Sequence, residues 1–170
     1  QIREKHCSTE KLTALAIPIV SLCHRYHVPC IINDDVQAAK DSGADGVHVG
    51  QDDTSIAQAR AVLGAGKWIG TSAHNVAEAR KAQQDGADYI GTGAVFGSAT
   101  KQDATPLSLQ TLQEICQAVT IPVVAIGGIT AENALQLRGF GGQGIAVISA
   151  IFAKPDCTAA AKEMRQLADA

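Results

Sequence analysis

The chain has no surplus of positive charge: 17 acidic residues stand against 14 basic ones, a formal charge of −3. That balance excludes a general nucleic-acid or anionic-membrane surface, and any anionic ligand has to be held by a local cluster of cations. No apolar run approaches the roughly 18 residues of a membrane span. The opening segment, Gln1-Ile-Arg-Glu-Lys, has the pattern of neither a signal peptide nor a transit sequence. The five cysteines, Cys7, Cys23, Cys30, Cys116 and Cys157, are odd in number and show no CxxC pair or zinc-framework spacing. Free thiols in a reducing compartment are the simplest reading, and the expected location is cytoplasmic. A Gly-rich dinucleotide fingerprint near the start is also missing.

What the chain does have is a regular alternation. Its 170 residues, 46% apolar and 18% charged, suffice for one sizeable core, so one domain is expected over residues 1–170. Short β-branched runs recur at Cys30-Ile-Ile, Gly46-Val-His-Val, Trp68-Ile-Gly, Tyr89-Ile-Gly, Val123-Val-Ala-Ile and Gly144-Ile-Ala-Val-Ile, with the Gln1 to Lys5 segment as a first candidate. Each is too short for a helix and bounded by turn residues. Between them lie amphipathic stretches from Thr9 to Tyr26, Ser55 to Leu63, Asn75 to Asp85, Ser108 to Ala118 and Thr130 to Gly139. Parallel strands joined by crossover helices produce this pattern. A weak repeat accompanies it: Ser42-Gly-Ala-Asp-Gly-Val-His-Val-Gly is echoed by Asp85-Gly-Ala-Asp-Tyr-Ile-Gly-Thr-Gly and loosely by Gly141-Gly-Gln-Gly-Ile-Ala-Val-Ile-Ser. The α/β class is therefore expected, as a (βα)₈ TIM barrel that lacks its first βα unit in this chain and shows seven parallel strands. A doubly wound open sheet shares the alternation. The absent fingerprint, and polar residues after almost every strand, favour the barrel.

In such a barrel the chemistry sits at the C-terminal ends of the strands. Strand alternation would put Gln1, Arg3 and Lys5 on one face and Ile2 and Glu4 on the other, either as cations at the mouth or as an exposed charged edge. Asn33 and Asp34 follow one strand, and Gln51, Asp52 and Asp53 follow the next. Carboxylates ending neighbouring strands can converge on one Mg²⁺, or each can simply cap the next helix. Ala125-Ile-Gly-Gly-Ile-Thr and Val147-Ile-Ser-Ala-Ile end later strands. Glycines there open backbone N–H groups to a phosphate, or merely make tight turns. The longest loop, Thr92 to Pro106, carries Ser98, Thr100, Lys101 and Asp103 and reads as a lid.

Seven strings, Gln1-Ile-Arg-Glu-Lys, Ile32-Asn-Asp-Asp-Val, Gly46-Val-His-Val-Gly-Gln-Asp-Asp, Gly70-Thr-Ser-Ala-His, Ser98-Ala-Thr-Lys, Ile126-Gly-Gly-Ile-Thr and Val147-Ile-Ser-Ala-Ile, resemble in order and spacing those of the thiamine phosphate synthase family. The resemblance covers the whole chain. It implies a transferase of thiamine biosynthesis that condenses 4-amino-2-methyl-5-(diphosphooxymethyl)pyrimidine with a thiazole phosphate, carboxylated in some pathways, and releases diphosphate. Carried over, Gln1, Ile2, Arg3, Glu4, Lys5, Asn33, Ser72 and Lys101 hold the pyrimidine diphosphate. Arg3, Lys5, Ser72 and Lys101 act in catalysis, and Asp34 and Asp53 hold Mg²⁺. Ser98, Ala99, Thr100, Gly128, Ile148 and Ser149 take the thiazole phosphate. Ala94 and Gly97 stand where the family usually has prolines, and Ser98 where it has threonine, which loosens the lid.

The implied mechanism stabilises the departing diphosphate and needs no side-chain nucleophile or base, so His48 and His74 are read as structural or solvent-bonded. Two other functions fit parts of the pattern. A thiazole tautomerase-like barrel would have no use for Asn33, Asp34 and Asp53, and a non-catalytic phosphate-ligand module would bind thiazole phosphate without turnover. The partners are small molecules, with no nucleic acid and no membrane. The family places its Gln-x-Arg-x-Lys motif on the second strand, so a further strand and helix are expected ahead of Gln1. Without them, two unpaired strand edges favour self-association.

Overall fold

Most helices start where a side chain can take up a free backbone N–H of the first turn. In the computed structural model, which describes residues 1–97 and 106–169, Ser8 caps α1 (Thr9–Arg25), Asp35 caps α2 (Val36–Asp41) and Ser108 caps α5 (Leu109–Ala118). Ser55 and Gln58 form a reciprocal capping box on α3 (Ile56–Leu63). The remaining helices are α4 (Val76–Gln84), α6 (Ser149–Phe152) and α7 (Cys157–Asp169). None among the described residues is long and apolar enough to cross a membrane.

Between the helices run six strands: β1 (Ile31–Asn33), β2 (Gly46–Val49), β3 (Trp68–Ser72), β4 (Tyr89–Thr92), β5 (Val123–Ile126) and β6 (Gly144–Ala146). Their order follows the chain, β1-β2-β3 and then β4-β5-β6, and β1 pairs β2, β2 pairs β3, β4 pairs β5 and β5 pairs β6 in parallel. Parallel strands in chain order with a helix in nearly every crossover are the α/β arrangement of a (βα) barrel.

Six strands rather than seven are found among the described residues, because the Gln1 to Lys5 run makes only one parallel bridge, Ile2 to Ile32. Ile2 gives its N–H to Ile31 and takes one from Asn33 (2.8 and 2.9 Å). A turn then begins at Lys5, with His6 at φ 61°. The expected helix from Thr130 to Gly139 is likewise a single 3₁₀ turn, Ala134–Leu137. Asn133 spends its side chain on the preceding loop, accepting from Thr130 N (2.8 Å) and donating to Gly128 O (2.9 Å).

The repeat seen in the sequence has a structural cause. Gly43, Gly86 and Gly141 all adopt positive φ (74°, 91° and 87°) just ahead of a strand. Two residues on, Asp45, Asp88 and Gln143 each accept an N–H at or next to the start of an earlier strand, from Cys30, Ile69 and Val123, all at 2.7 Å. Each also returns its own N–H to the carbonyl of that same residue, at 2.8, 2.8 and 2.9 Å. Gln143 thus does with an amide oxygen what the two aspartates do with a carboxylate, which explains why the third copy looked loose.

By backbone contacts the chain divides into two units, Gln1–Ser72 with Ala82–Tyr89 and Ala73–Lys81 with Ile90–Ala170. In the first, α1 buries Leu12, Ala16 and Val20 on one stripe, and Ile32, Val47, Val49 and Ile69 are almost fully enclosed. In the second, Ile90 of β4, Leu112 and Ile115 of α5 and Val123 of β5 are almost fully enclosed.

Candidate active site

The first unit gathers polar side chains at the ends of β1, β2 and β3. Gln1 donates through Nε2 to Asn33 Oδ1 (2.6 Å), so the segment anchored by Ile2 joins the end of β1. Arg3, Glu4 and Lys5 are exposed there. A groove of about 630 Å³ runs past Glu4, Lys5, Asn33, Asp34, Asp35 and Thr54.

Asp34 and Asp53 follow the adjacent parallel strands β1 and β2. Neither caps a helix; Asp35 and Ser55 do that, which removes the simplest structural reason for both carboxylates. Asp34 sits at φ 67°, a left-handed conformation uncommon outside glycine, asparagine and aspartate. Its N–H donates to His48 O (2.8 Å), which fixes that turn. Asp53 folds back so that Oδ2 accepts from Gly50 N (2.7 Å), and a Cβ on Gly50 would lie 2.7 Å from that oxygen. Although Asp34 is open to solvent on one side, partial burial and then the Asp53 carboxylate against it push its pKa above the usual carboxylate range, against the pull of Asn33 and Arg3. Two carboxylates held this close leave like charge that a hard cation can neutralise. Among the described residues no group of three or more His, Cys, Asp or Glu converges. Two carboxylates that leave other positions to substrate phosphate oxygens are a donor set that Mg²⁺ commonly takes.

Ser72 ends β3 and is held at both of its oxygens. Gln51 Nε2 donates to its carbonyl, and His48 Nε2 lies 3.1 Å from its hydroxyl. His48 is buried on β2, and its other ring nitrogen is 3.1 Å from the Tyr89 hydroxyl. Burial holds the His48 pKa down to about 4, against the opposing pull of Asp53, and pushes the Tyr89 phenol up to about 12. Of the two readings the sequence leaves open for His48, its contacts fit the structural one rather than the solvent-bonded one. His74, by contrast, is exposed and pairs with Glu78 (3.0 Å) at the start of α4.

In the second unit the candidate groups are mainly backbone. Gly127 and Gly128 follow β5 at φ 102° and 62°, and a Cβ on Gly128 would meet Phe96 O at 2.4 Å. Ile148 and Ser149 are exposed at the start of α6, where Ile148 O accepts from Ile151 N and Phe152 N (3.0 and 2.8 Å). A groove of about 240 Å³ passes Thr130, Glu132, Ser149 and Lys154. Lys154 was not singled out from the sequence, since a lysine after a short helix carries no spacing signal. Ser98, Ala99, Thr100 and Lys101 lie outside the described residues.

The family model described as thiamine monophosphate synthase matches residues 1–151. The chain belongs to that family. It is 49% identical over 168 residues to a thiamine-phosphate synthase of Chloroflexus aurantiacus, covering 98% of this chain and 77% of the other. It is 47% identical over 167 residues to one from Ruminiclostridium cellulolyticum, covering 98% and 80%. A solved structure of thiamine phosphate pyrophosphorylase from Pyrococcus furiosus superposes with a TM-score of 0.90 at 36% identity, covering 97% of this chain and 79% of that one. Family and architecture agree, and the family is one of transferases.

Proposed function

We propose that the chain joins 4-amino-2-methyl-5-(diphosphooxymethyl)pyrimidine to a thiazole phosphate, forming thiamine phosphate and releasing diphosphate. The observation that carries this reading is the Asp34 and Asp53 pair, two carboxylates brought together beside Arg3 with no capping role. A diphosphate substrate gives such a pair a purpose, because Mg²⁺ held by Asp34 and Asp53 would neutralise phosphate charge there.

The chain's own residues bind and orient. Arg3 and Lys5, exposed beside the groove, offer cations to diphosphate oxygens. Gln1 and Asn33, already bonded to each other, present an amide surface, and Ser72 offers its hydroxyl. The bond between the pyrimidinyl methylene carbon and the diphosphate oxygen breaks with its electron pair leaving on diphosphate. The aminopyrimidine carries the resulting positive charge, and the lone pair of the thiazole nitrogen forms the new C–N bond. No protein nucleophile or general base takes part, so catalysis rests on charge stabilisation and positioning. Gly128, Ile148 and Ser149 would offer backbone N–H groups to the thiazole phosphate, with Ser98, Ala99 and Thr100 joining them and Lys101 serving the diphosphate. The deciding experiment supplies both substrates with and without Mg²⁺ and measures thiamine phosphate. Product that depends on both substrates and on the metal supports the reading, and thiazole phosphate binding without product rejects it.

A further inference from the structure

Mid-strand glycines mark places where something else comes close, and Gly70 in β3 is one. It is the register partner of His48 on β2. A Cβ on Gly70 would lie 2.0 Å from Tyr89 Cζ and 2.4 Å from its hydroxyl oxygen. The Tyr89 ring therefore occupies the space a side chain would fill and crosses β3 to reach His48, with ring centroids 5.5 Å apart and planes tilted by 40°. Its hydroxyl meets Nδ1 at 3.1 Å, and Nε2 on the far side of the imidazole meets Ser72 Oγ at 3.1 Å.

A neutral imidazole has one N–H and one lone pair, so its two contacts cannot point the same way. Tyr89 is half-buried, and its hydroxyl, packed against β3, has the His48 imidazole as hydrogen-bond partner, where an imine nitrogen is a better acceptor than a phenol oxygen. With the hydroxyl proton directed to Nδ1, the imidazole carries its own hydrogen on Nε2 and donates to Ser72 Oγ. The Ser72 hydroxyl hydrogen is then turned away from His48. In the opposite tautomer, Ser72 would spend its hydrogen on His48 and face a ligand only as an acceptor.

We propose that Tyr89 and His48 form a part-buried positioning relay that commits the Ser72 hydroxyl as a hydrogen-bond donor toward an acceptor atom of the pyrimidine diphosphate. The hydrogen bonds run in one direction, from Tyr89 to His48 to Ser72 to ligand, and each polarises the next. What the hydroxyl meets rests on the function proposed above. The direction of the relay does not.

The test has two arms. In the full chain with ¹⁵N-labelled histidine, the His48 ring nitrogens are read by NMR, and a protonated Nε2 with an unprotonated Nδ1 is expected. The reverse tautomer overturns the relay whatever the activity. In the kinetic arm, Tyr89→Phe and His48→Asn are each expected to lower kcat by about 10-fold, the scale of one misdirected hydrogen bond, with less effect on thiazole phosphate KM. His48→Gln, whose amide reaches the Nε2 position, recovers much of the His48→Asn loss. In a Ser72→Ala background neither Tyr89→Phe nor His48→Asn costs anything further, whereas additive losses overturn the relay. A wild-type chain that shows the Nε2–H tautomer but makes no thiamine phosphate rejects the function and leaves the relay standing.

Discussion

The two units of the chain present their candidate groups in different chemical forms. In the first, the groups are side chains at the ends of β1, β2 and β3: Asp34, Asp53, Ser72 and the buried His48 behind it. In the second they are peptide groups exposed by Gly127, Gly128 and the turn into α6. Side-chain sites fail when an atom is removed. Backbone sites fail when an atom is added, because the N–H groups survive any truncation but not a Cβ that blocks approach. The two units should therefore respond to opposite kinds of substitution.

The largest effect is expected at Asp53. Asp53→Ala should lower kcat by about 10²-fold to 10³-fold, the scale of losing one electrostatic group at the point of charge development, with little change in melting temperature. Normal turnover would end the side-chain reading of the first unit, and unfolding at ordinary temperature would instead make the Asp53 to Gly50 contact structural.

Next in size is a pH effect at His48. Its folded pKa, about 4, lies below the unfolded value near 6.5, so the unfolded chain takes up a proton first as pH falls. The associated stability is fully present above about pH 6.5 and is lost as pH drops toward about 4, by roughly 3 kcal/mol at most. Denaturant midpoints of wild type and His48→Gln, followed across that window, should converge as pH falls, because glutamine does not titrate. A constant gap would mean that the fold does not depress the His48 pKa.

For the second unit, Gly128→Ala should act more strongly than Ser149→Ala. The alanine methyl would sit 2.4 Å from Phe96 O at φ 62°, a strain of about 1–3 kcal/mol, and thiazole phosphate KM should rise with it. Ser149→Ala leaves the backbone untouched and should raise that KM by under about 10-fold, as for one exposed hydrogen bond. A larger loss from Ser149→Ala would make the second unit a side-chain site after all, and the contrast between the units would disappear.

The same contrast explains what could be read from the sequence. β-Branched runs and Gly-Ala-Asp turns declare parallel strands without help from distant residues, and carboxylates after two consecutive strands declare each other because parallel neighbours lie side by side. The role of His48 was hidden, since it depends on Tyr89, 41 residues away, and on an empty position at Gly70 between them. Gly70, a glycine inside an otherwise β-prone run, was the available signal. The Gln1 to Lys5 alternation and the Thr130 to Gly139 periodicity suggest more regular structure than forms. One hydrophobic residue among charges secures only the Ile2 bridge, and Asn133 commits its side chain to the glycine loop rather than to a full helix.

The smallest expected effect tests the carboxylate pair without any substrate. Asp34 has its pKa raised by burial and then by Asp53, so the folded chain binds a proton there more readily than the unfolded chain does. The sign is the reverse of an ordinary paired aspartate: the contribution favours the fold below the unfolded carboxylate pKa and turns into a cost as pH rises through the folded value. At neutral pH the apo protein carries that cost, and Asp34→Asn removes it while keeping the side-chain shape. The variant should therefore melt higher than wild type in chelator at pH 7, by on the order of 1–2 °C given how far solvent screens the pair. The gain should shrink as the pH falls and the wild-type carboxyl takes up its proton, more readily in the fold than in the unfolded chain. Mg²⁺ alone should raise the wild-type melting temperature and leave Asp34→Asn nearly unchanged. A variant that melts lower than wild type in chelator would show that the Asp34 charge serves the fold, through Arg3 or the turn at φ 67°, and the first unit's carboxylates would then be structural rather than a site for a cation.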